Sequence, residues 1–156
     1  AGIVHHDLRP HILMLDERQK VHLIDMGLAS SDLKPDPIVA AGLGPQGNLL
    51  YLAPELIQGR RGDPRSDIYA LGVLLYLAIT GHLPFTEKRQ SLQKWLQQKE
   101  QITPPKNYRA SLPVSIEQVV LKAMSHDINK RYQWIEDMLE DLSHEISCNL
   151  QRDSLF

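Results

Sequence analysis

Two aspartates, Asp7 in His5-His6-Asp7-Leu8-Arg9-Pro10 and Asp25 in Asp25-Met26-Gly27, bracket a short, largely apolar stretch. Carboxylates placed in this way suit phosphoryl transfer. One accepts the proton of an attacking hydroxyl, and the other holds the divalent cation that neutralises the phosphates. The segment between them must do the positioning. Leu13-Met14-Leu15 and Val21-His22-Leu23-Ile24 are apolar runs separated by the charged turn Asp16-Glu17-Arg18-Gln19-Lys20, a pattern that predicts a β-hairpin or two short strands joined by a loop. Two aspartates alone identify nothing, so the rest of the chain decides.

The 156 residues are enough for one domain with a sizeable core and too few for two ordinary ones, so 1–156 reads as a single unit. Net charge is -2, with 17 basic and 19 acidic residues spread along the chain. No basic face points to nucleic acid or anionic lipid. The single cysteine, Cys148, cannot form an internal disulfide. It fits a reducing compartment and reads as a small apolar or surface residue rather than a nucleophile. The longest apolar run, Ile68 to Ile79, is too short to cross a bilayer and predicts a helix buried on all sides. Ser66 or Asp67 can cap its start, and Gly81 can close it in a left-handed conformation. No secretory signal stands at Ala1, and a chain that does not open on Met leaves an upstream targeting segment open.

Between Ala29 and Gly47, Pro, Gly, Ser and Asp are dense and no period is sustained, which predicts a long surface loop. Residues Thr86 to Gln101 predict a surface helix with Leu92, Trp95 and Leu96 as its apolar stripe. Pro104-Pro105 breaks it, since neither ring nitrogen can donate to a helix. Helical spacing recurs at Ile116, Val119, Val120, Ala123 and Met124, and again at Ile135, Met138, Leu139, Leu142 and Ile146, predicting two core faces.

The order of five motifs resembles the C-terminal lobe of the eukaryotic-type protein kinase family, whose signatures are H-R-D-L-x-x-x-N, D-F-G and A-P-E. HHDLRPHI stands where the catalytic loop belongs, and Asp25-Met26-Gly27 where D-F-G belongs. YLAPE ends in Ala53-Pro54-Glu55. RSDIYALGVLLYLAITGHLPF is similar to the central helix of that lobe, and HDINKRY to the segment near its end. Pro10, after a basic residue, resembles the serine/threonine branch. The resemblance implies an α+β, mostly α fold: a large helical lobe with a short β-hairpin carrying the catalytic and metal-binding loops. It implies ATP and Mg2+ as cofactors, a protein or peptide as substrate, and a cytoplasmic setting. Asp7 would be the catalytic base, and Arg9 the cation near the transferring phosphate, where the branch prefers lysine. Asp25 would be the magnesium ligand, with Met14 beneath the adenine. His5 and Met26 would belong to the hydrophobic stack that aligns the two lobes. Asp67 would support the catalytic-loop backbone, and Arg131 would pair with Glu55.

Four positions depart from the pattern. Ile12 stands where the family's asparagine binds the second magnesium, and an aliphatic side chain offers no oxygen to a hard cation. His6 replaces the arginine that meets a phosphorylated activation loop, which predicts weak or absent control through Ser30 or Ser31. Asn48 replaces the threonine after Gly47, which predicts a looser peptide-positioning loop. Met26 for phenylalanine is mild. No glycine-rich loop and no V-A-I-K lysine occur within these residues, so the N-lobe of the domain is not among them. A missing N-lobe or flanking domain would leave an apolar face near Met14 and Met26 exposed. The expected function is a serine/threonine-type protein kinase domain, partial and weak or inactive as it stands. The alternative is a pseudokinase acting as a protein-binding or scaffolding module.

Overall fold

The computed structural model describes residues 2–85 and 102–153; the predicted helix around Leu92, Trp95 and Leu96 lies outside them. The described part is a mixed α/β arrangement of two small sheets and five α-helices.

Strand β1 (Ile3–Val4) pairs antiparallel with β4 (Ser30–Ser31), joining the entry to His5 with the chain beyond Gly27. Strands β2 (Leu13–Leu15) and β3 (Val21–Leu23) form the predicted hairpin, with Leu13 opposite Leu23 and Leu15 opposite Val21. Asp16 organises its turn: Oδ1 accepts from the Arg18 and Lys20 amides, each at 2.9 Å. The hydrogen bond from His22 and those amides hold the Asp16 carboxyl below its ordinary value.

The Ala29 to Gly47 segment is mostly irregular, as composition predicts, but it carries β4 and one helical turn, α1 (Pro37–Ala40). The local reason is Asp36-Pro37. The aspartate side chain accepts from the Ile38 and Val39 amides, while proline supplies a helical φ where no amide is needed.

Helix α2 (Pro54–Ile57) is buried throughout and leads into α3 (Arg65–Thr80), the central helix. Gly81 ends α3 at φ 73°, and its amide donates to the Leu77 carbonyl. The predicted caps fall differently. Pro64 takes the cap position of α3, so Ser66 and Asp67 lie inside its first turn, and both side chains bond elsewhere. Burial of α3 is extensive rather than complete, because Leu71, Leu74, Leu75 and Leu77 are only half-buried and Ala78 is exposed.

Helix α4 (Val114–Ala123) crosses α3 closely at Gly72, where a Cβ would stand 2.7 Å from Met124 Cγ. Tyr69, Val73, Tyr76, Val120 and Met124 form one buried cluster with Tyr51, Leu52 and Leu56. A second joins Ile68, Val119, Ala123, Tyr132 and Met138. Each such side chain contributes roughly 1.5–3 kcal/mol by leaving water. Along α5 (Ile135–Asp153) the predicted core face is narrower than its periodicity suggests: Met138 is buried and Leu142 partly so, whereas Ile135 and Leu139 are exposed. No described helix is long and apolar enough to cross a membrane.

Candidate active site

The loop that carries Asp7 is held from below by Asp67. Its two carboxylate oxygens accept from the backbone amides of His5 (2.6 Å) and His6 (2.9 Å). Amides pinned in this way fix the chain direction immediately before Asp7, and His6 sits at φ 66°, which a free chain would avoid. Burial pushes the Asp67 carboxyl up, while the two amide bonds and nearby His5 act against that shift.

Asp7 itself is oriented from two sides. Oδ2 accepts from Arg9 Nε at 2.9 Å, and Oδ1 from the Asn48 amide at 3.3 Å. The second contact depends on Gly47, whose φ is +100° and where a Cβ would fall 2.9 Å from Asp7 Oδ1. Only glycine lets this backbone close on the carboxylate. Asn48 thus holds the aspartate through its main chain, while its side chain accepts from the Leu50 amide and shapes the following turn.

Asp25 follows the hairpin, whose last link is Ile24 N donating to Ile12 O at 3.1 Å. The strand pairing therefore sets Asp25 beside Ile12, the residue closing the turn after the Asp7 loop. Asp25 is exposed, and Oδ1 accepts from the Gly27 amide at 2.8 Å. Its other carboxylate oxygen is the hard donor left for a cation. Ile12 is only 2 % exposed, and its aliphatic side chain has no oxygen to offer. Among the described residues no three His, Cys, Asp or Glu side chains gather as a metal cage. A magnesium ion at Asp25 would draw its other ligands chiefly from phosphate and water. The residues present thus offer such an ion one carboxylate oxygen at Asp25 and none at Ile12.

Met14 and Met26 are each about half exposed, with Leu15, Val21, Leu23 and Ile24 in the same condition. The hairpin region thus carries an apolar surface beside the two aspartates. His5 is buried, and its Nδ1 accepts from the Asp7 amide at 3.3 Å.

His6 is buried as well. Its Nε2 accepts from the Gly62 amide at 3.3 Å and faces Ser30 Oγ at 2.7 Å. An accepting Nε2 assigns the ring as neutral, with the Ser30 hydroxyl donating. Burial, then the charge of Arg61, lower the His6 pKa to about 4. Ser30, expected above as a modification candidate, is itself buried and engaged by this bond.

Remote from the aspartates, Glu55 and Arg131 form a two-pronged pair, Nη1 to Oε1 at 2.7 Å and Nη2 to Oε2 at 2.8 Å. Ser66 Oγ donates to Glu55, while Arg131 also donates to the carbonyls of Ser125 and Arg65. Burial alone would raise the Glu55 carboxyl, but the Arg131 bonds and charge outweigh it and hold it below its ordinary value.

Arg61 had no motif to mark it. Its Nε donates to Asp36 Oδ2 at 2.7 Å, and its Nη2 to the Leu28 carbonyl. Asp36-Pro37 has the chemistry of a helix start, but that points to no partner 25 residues away.

A family model, the protein kinase domain, matches residues 1–144. The chain is 34% identical over 155 residues to the serine/threonine-protein kinase PrkC of Bacillus subtilis, covering 99% of this chain and 24% of that protein. It is 33% identical over 141 residues to the serine/threonine-protein kinase PknB of Mycobacterium tuberculosis, covering 90% of this chain and 22% of that protein. A probable serine/threonine-protein kinase of Clostridium perfringens, CPE1738, is 32% identical over 142 residues, which is 91% of this chain and 20% of that protein. The chain thus spans about a quarter or less of the length of these curated relatives. Since the matched region runs from the Asp7 loop through the hairpin to the helices that hold them, this chain belongs to the protein kinase family.

Proposed function

We propose that these residues are the C-terminal lobe of a serine/threonine-type protein kinase domain that keeps the base and one metal ligand of its transfer site and lacks the second. The observation that carries this reading is the contrast between Asp7, oriented by Arg9 and Asn48, and Ile12, buried and without an oxygen. Asp7 accepts the proton of a substrate hydroxyl, and Arg9, already beside it, offers charge to the phosphoryl group. Arginine is planar and bulkier than lysine, so this cation is tolerable rather than equivalent. Asp25 holds magnesium, Met14 gives adenine an apolar floor, and Met26 joins His5 in the stack that aligns the lobes. The magnesium ion, when bound with ATP, neutralises charge on the phosphates. A protein or peptide supplies the hydroxyl, as the names of the relatives suggest.

Ile12 also favours a second reading, a pseudokinase that binds partners without efficient transfer. The test is transfer of radiolabelled phosphate from ATP to a generic protein acceptor. Residues 1–156 by themselves are expected to give no transfer that depends on Asp7. In a chain extended through its own upstream residues, transfer is expected to be slow and lost in Asp7→Ala. Transfer by residues 1–156 that disappears in Asp7→Ala would overturn the first expectation. A fast extended enzyme would remove the assigned defect at Ile12.

A further inference from the structure

Control of the segment between Gly27 and Gly47 is a question that the aspartates leave open, and Arg61 answers it. Its side chain is only 6% exposed, and its partner Asp36 13%. One guanidinium makes two bonds to different parts of that segment: Nε to the Asp36 carboxylate at 2.7 Å and Nη2 to the Leu28 carbonyl at 2.5 Å. Asp36 is meanwhile committed to the first turn of α1, accepting from the Ile38 and Val39 amides. The next residue, Gly62, donates its amide to His6, which also bonds Ser30 in the same segment. Residues 61 and 62 therefore grip the segment at Leu28, Ser30 and Asp36, directly or through His6.

We propose that Arg61 is the positioning residue that orders the Leu28 to Ala41 segment, and that it does so through the built-in carboxylate of Asp36 without any phosphate. The proposal deepens the kinase reading, on which its functional meaning rests, by assigning how that site's loop is fixed. Its physical basis is separate. A buried guanidinium with a charged partner and a carbonyl partner is costly to remove, because both acceptors lose their donor together. Position 6 is occupied besides, since Ser30 Oγ is buried against its imidazole.

The experiment is amide hydrogen exchange on the intact chain, with its mass checked to establish that it carries no phosphate. The expected result is protection of the amides of Ala40 and Ala41, and exchange there roughly ten- to a hundredfold faster in Arg61→Ala, with α3 unchanged. Arg60→Ala is the neighbouring control and should leave the segment as it was. Should Arg61→Ala fail to fold, Asp36→Asn keeps an oxygen to cap α1 while removing the charge, and should speed exchange by a smaller factor. An unphosphorylated chain with no protection in the segment would overturn the proposal, as would unchanged protection in Arg61→Ala or Asp36→Asn. None of these readouts requires phosphate transfer. Absence of Asp7-dependent transfer from the extended chain, with the segment still protected, would thus sink the enzyme reading alone, and transfer by the extended chain with an Arg61-independent segment would sink this one alone.

Discussion

The Glu55 and Arg131 pair and the Asp25 loop are both built on carboxylates, yet they stand in opposite conditions. Around Arg131 the side chains are almost fully removed from water, and each oxygen of Glu55 has a donor. Around Asp25 the carboxylate faces solvent, with its one described bond going to the amide two residues ahead. The first arrangement spends its charges on holding α2, α3 and the chain before α5 together. The second leaves negative charge uncompensated, which suits a cation. On the proposed reading, stability and chemistry rest on different acids, and substitutions should separate them.

The largest effect should follow from Arg131→Ala. It strands a buried carboxylate and removes a cation lying 4.9 Å from the centre of the Tyr69 ring. A loss of about 3–5 kcal/mol in urea unfolding is expected, enough to unfold a marginal domain. A loss below about 1 kcal/mol would mean that the pair is no keystone.

A smaller effect should come from acid. His6 titrates at about 4 in the fold and near 6.5 in an unfolded chain, so between those values the unfolded state binds more protons. Stability from this residue is complete above about pH 6.5 and is lost progressively as pH falls toward 4. Glu55, held below its ordinary value, acts with the same sign but lower, its contribution being lost as pH drops through its folded value. Asp67 acts oppositely, because its raised carboxyl favours the fold on protonation. The His6 share is isolated by comparing urea midpoints at pH 7.5 and 4.5 for the native chain and His6→Gln. The variant should show the shallower fall, and equal slopes would contradict a neutral buried His6.

The smallest effect on stability should be that of Asp25→Asn. The side chain is exposed and keeps an oxygen for the Gly27 amide, so a change within about 0.5 kcal/mol is expected in the same urea assay. A large loss would erase the contrast between the two regions.

The parts that sequence could anticipate are those with local periodicity or a fixed motif. The β2 and β3 hairpin followed from two apolar runs around a charged turn, and Gly81 as the end of α3 from the apolar run that precedes it. The partnership of Glu55 with Arg131 was suggested by motif order rather than by either neighbourhood. Other features lacked any local signal. Ser66 and Asp67 looked like helix caps because both types cap well, but the chain brings Glu55 and the His5 and His6 amides within their reach, and those partners win. Ile135 and Leu139 fit a helical stripe, yet no described element covers them. The Arg61 grip on Asp36 and Leu28 depends on loops meeting in space, which no spacing rule encodes. At Asn48 the main-chain amide reaches Asp7 while the side chain bonds the Leu50 amide, a division of roles that residue type alone does not show.

The central claim is that Asp7 and Asp25 retain the geometry of a transfer site whose defect lies at Ile12. The most direct measurement is the phosphate-transfer rate of Ile12→Asn beside the native residue, in the protein as its cell makes it, with Asp7→Asn as the blank. The account predicts a gain of roughly tenfold or more that depends on Asp7, because the new side chain supplies the missing oxygen to a metal beside Asp25. A well-folded Ile12→Asn protein with no gain would contradict it.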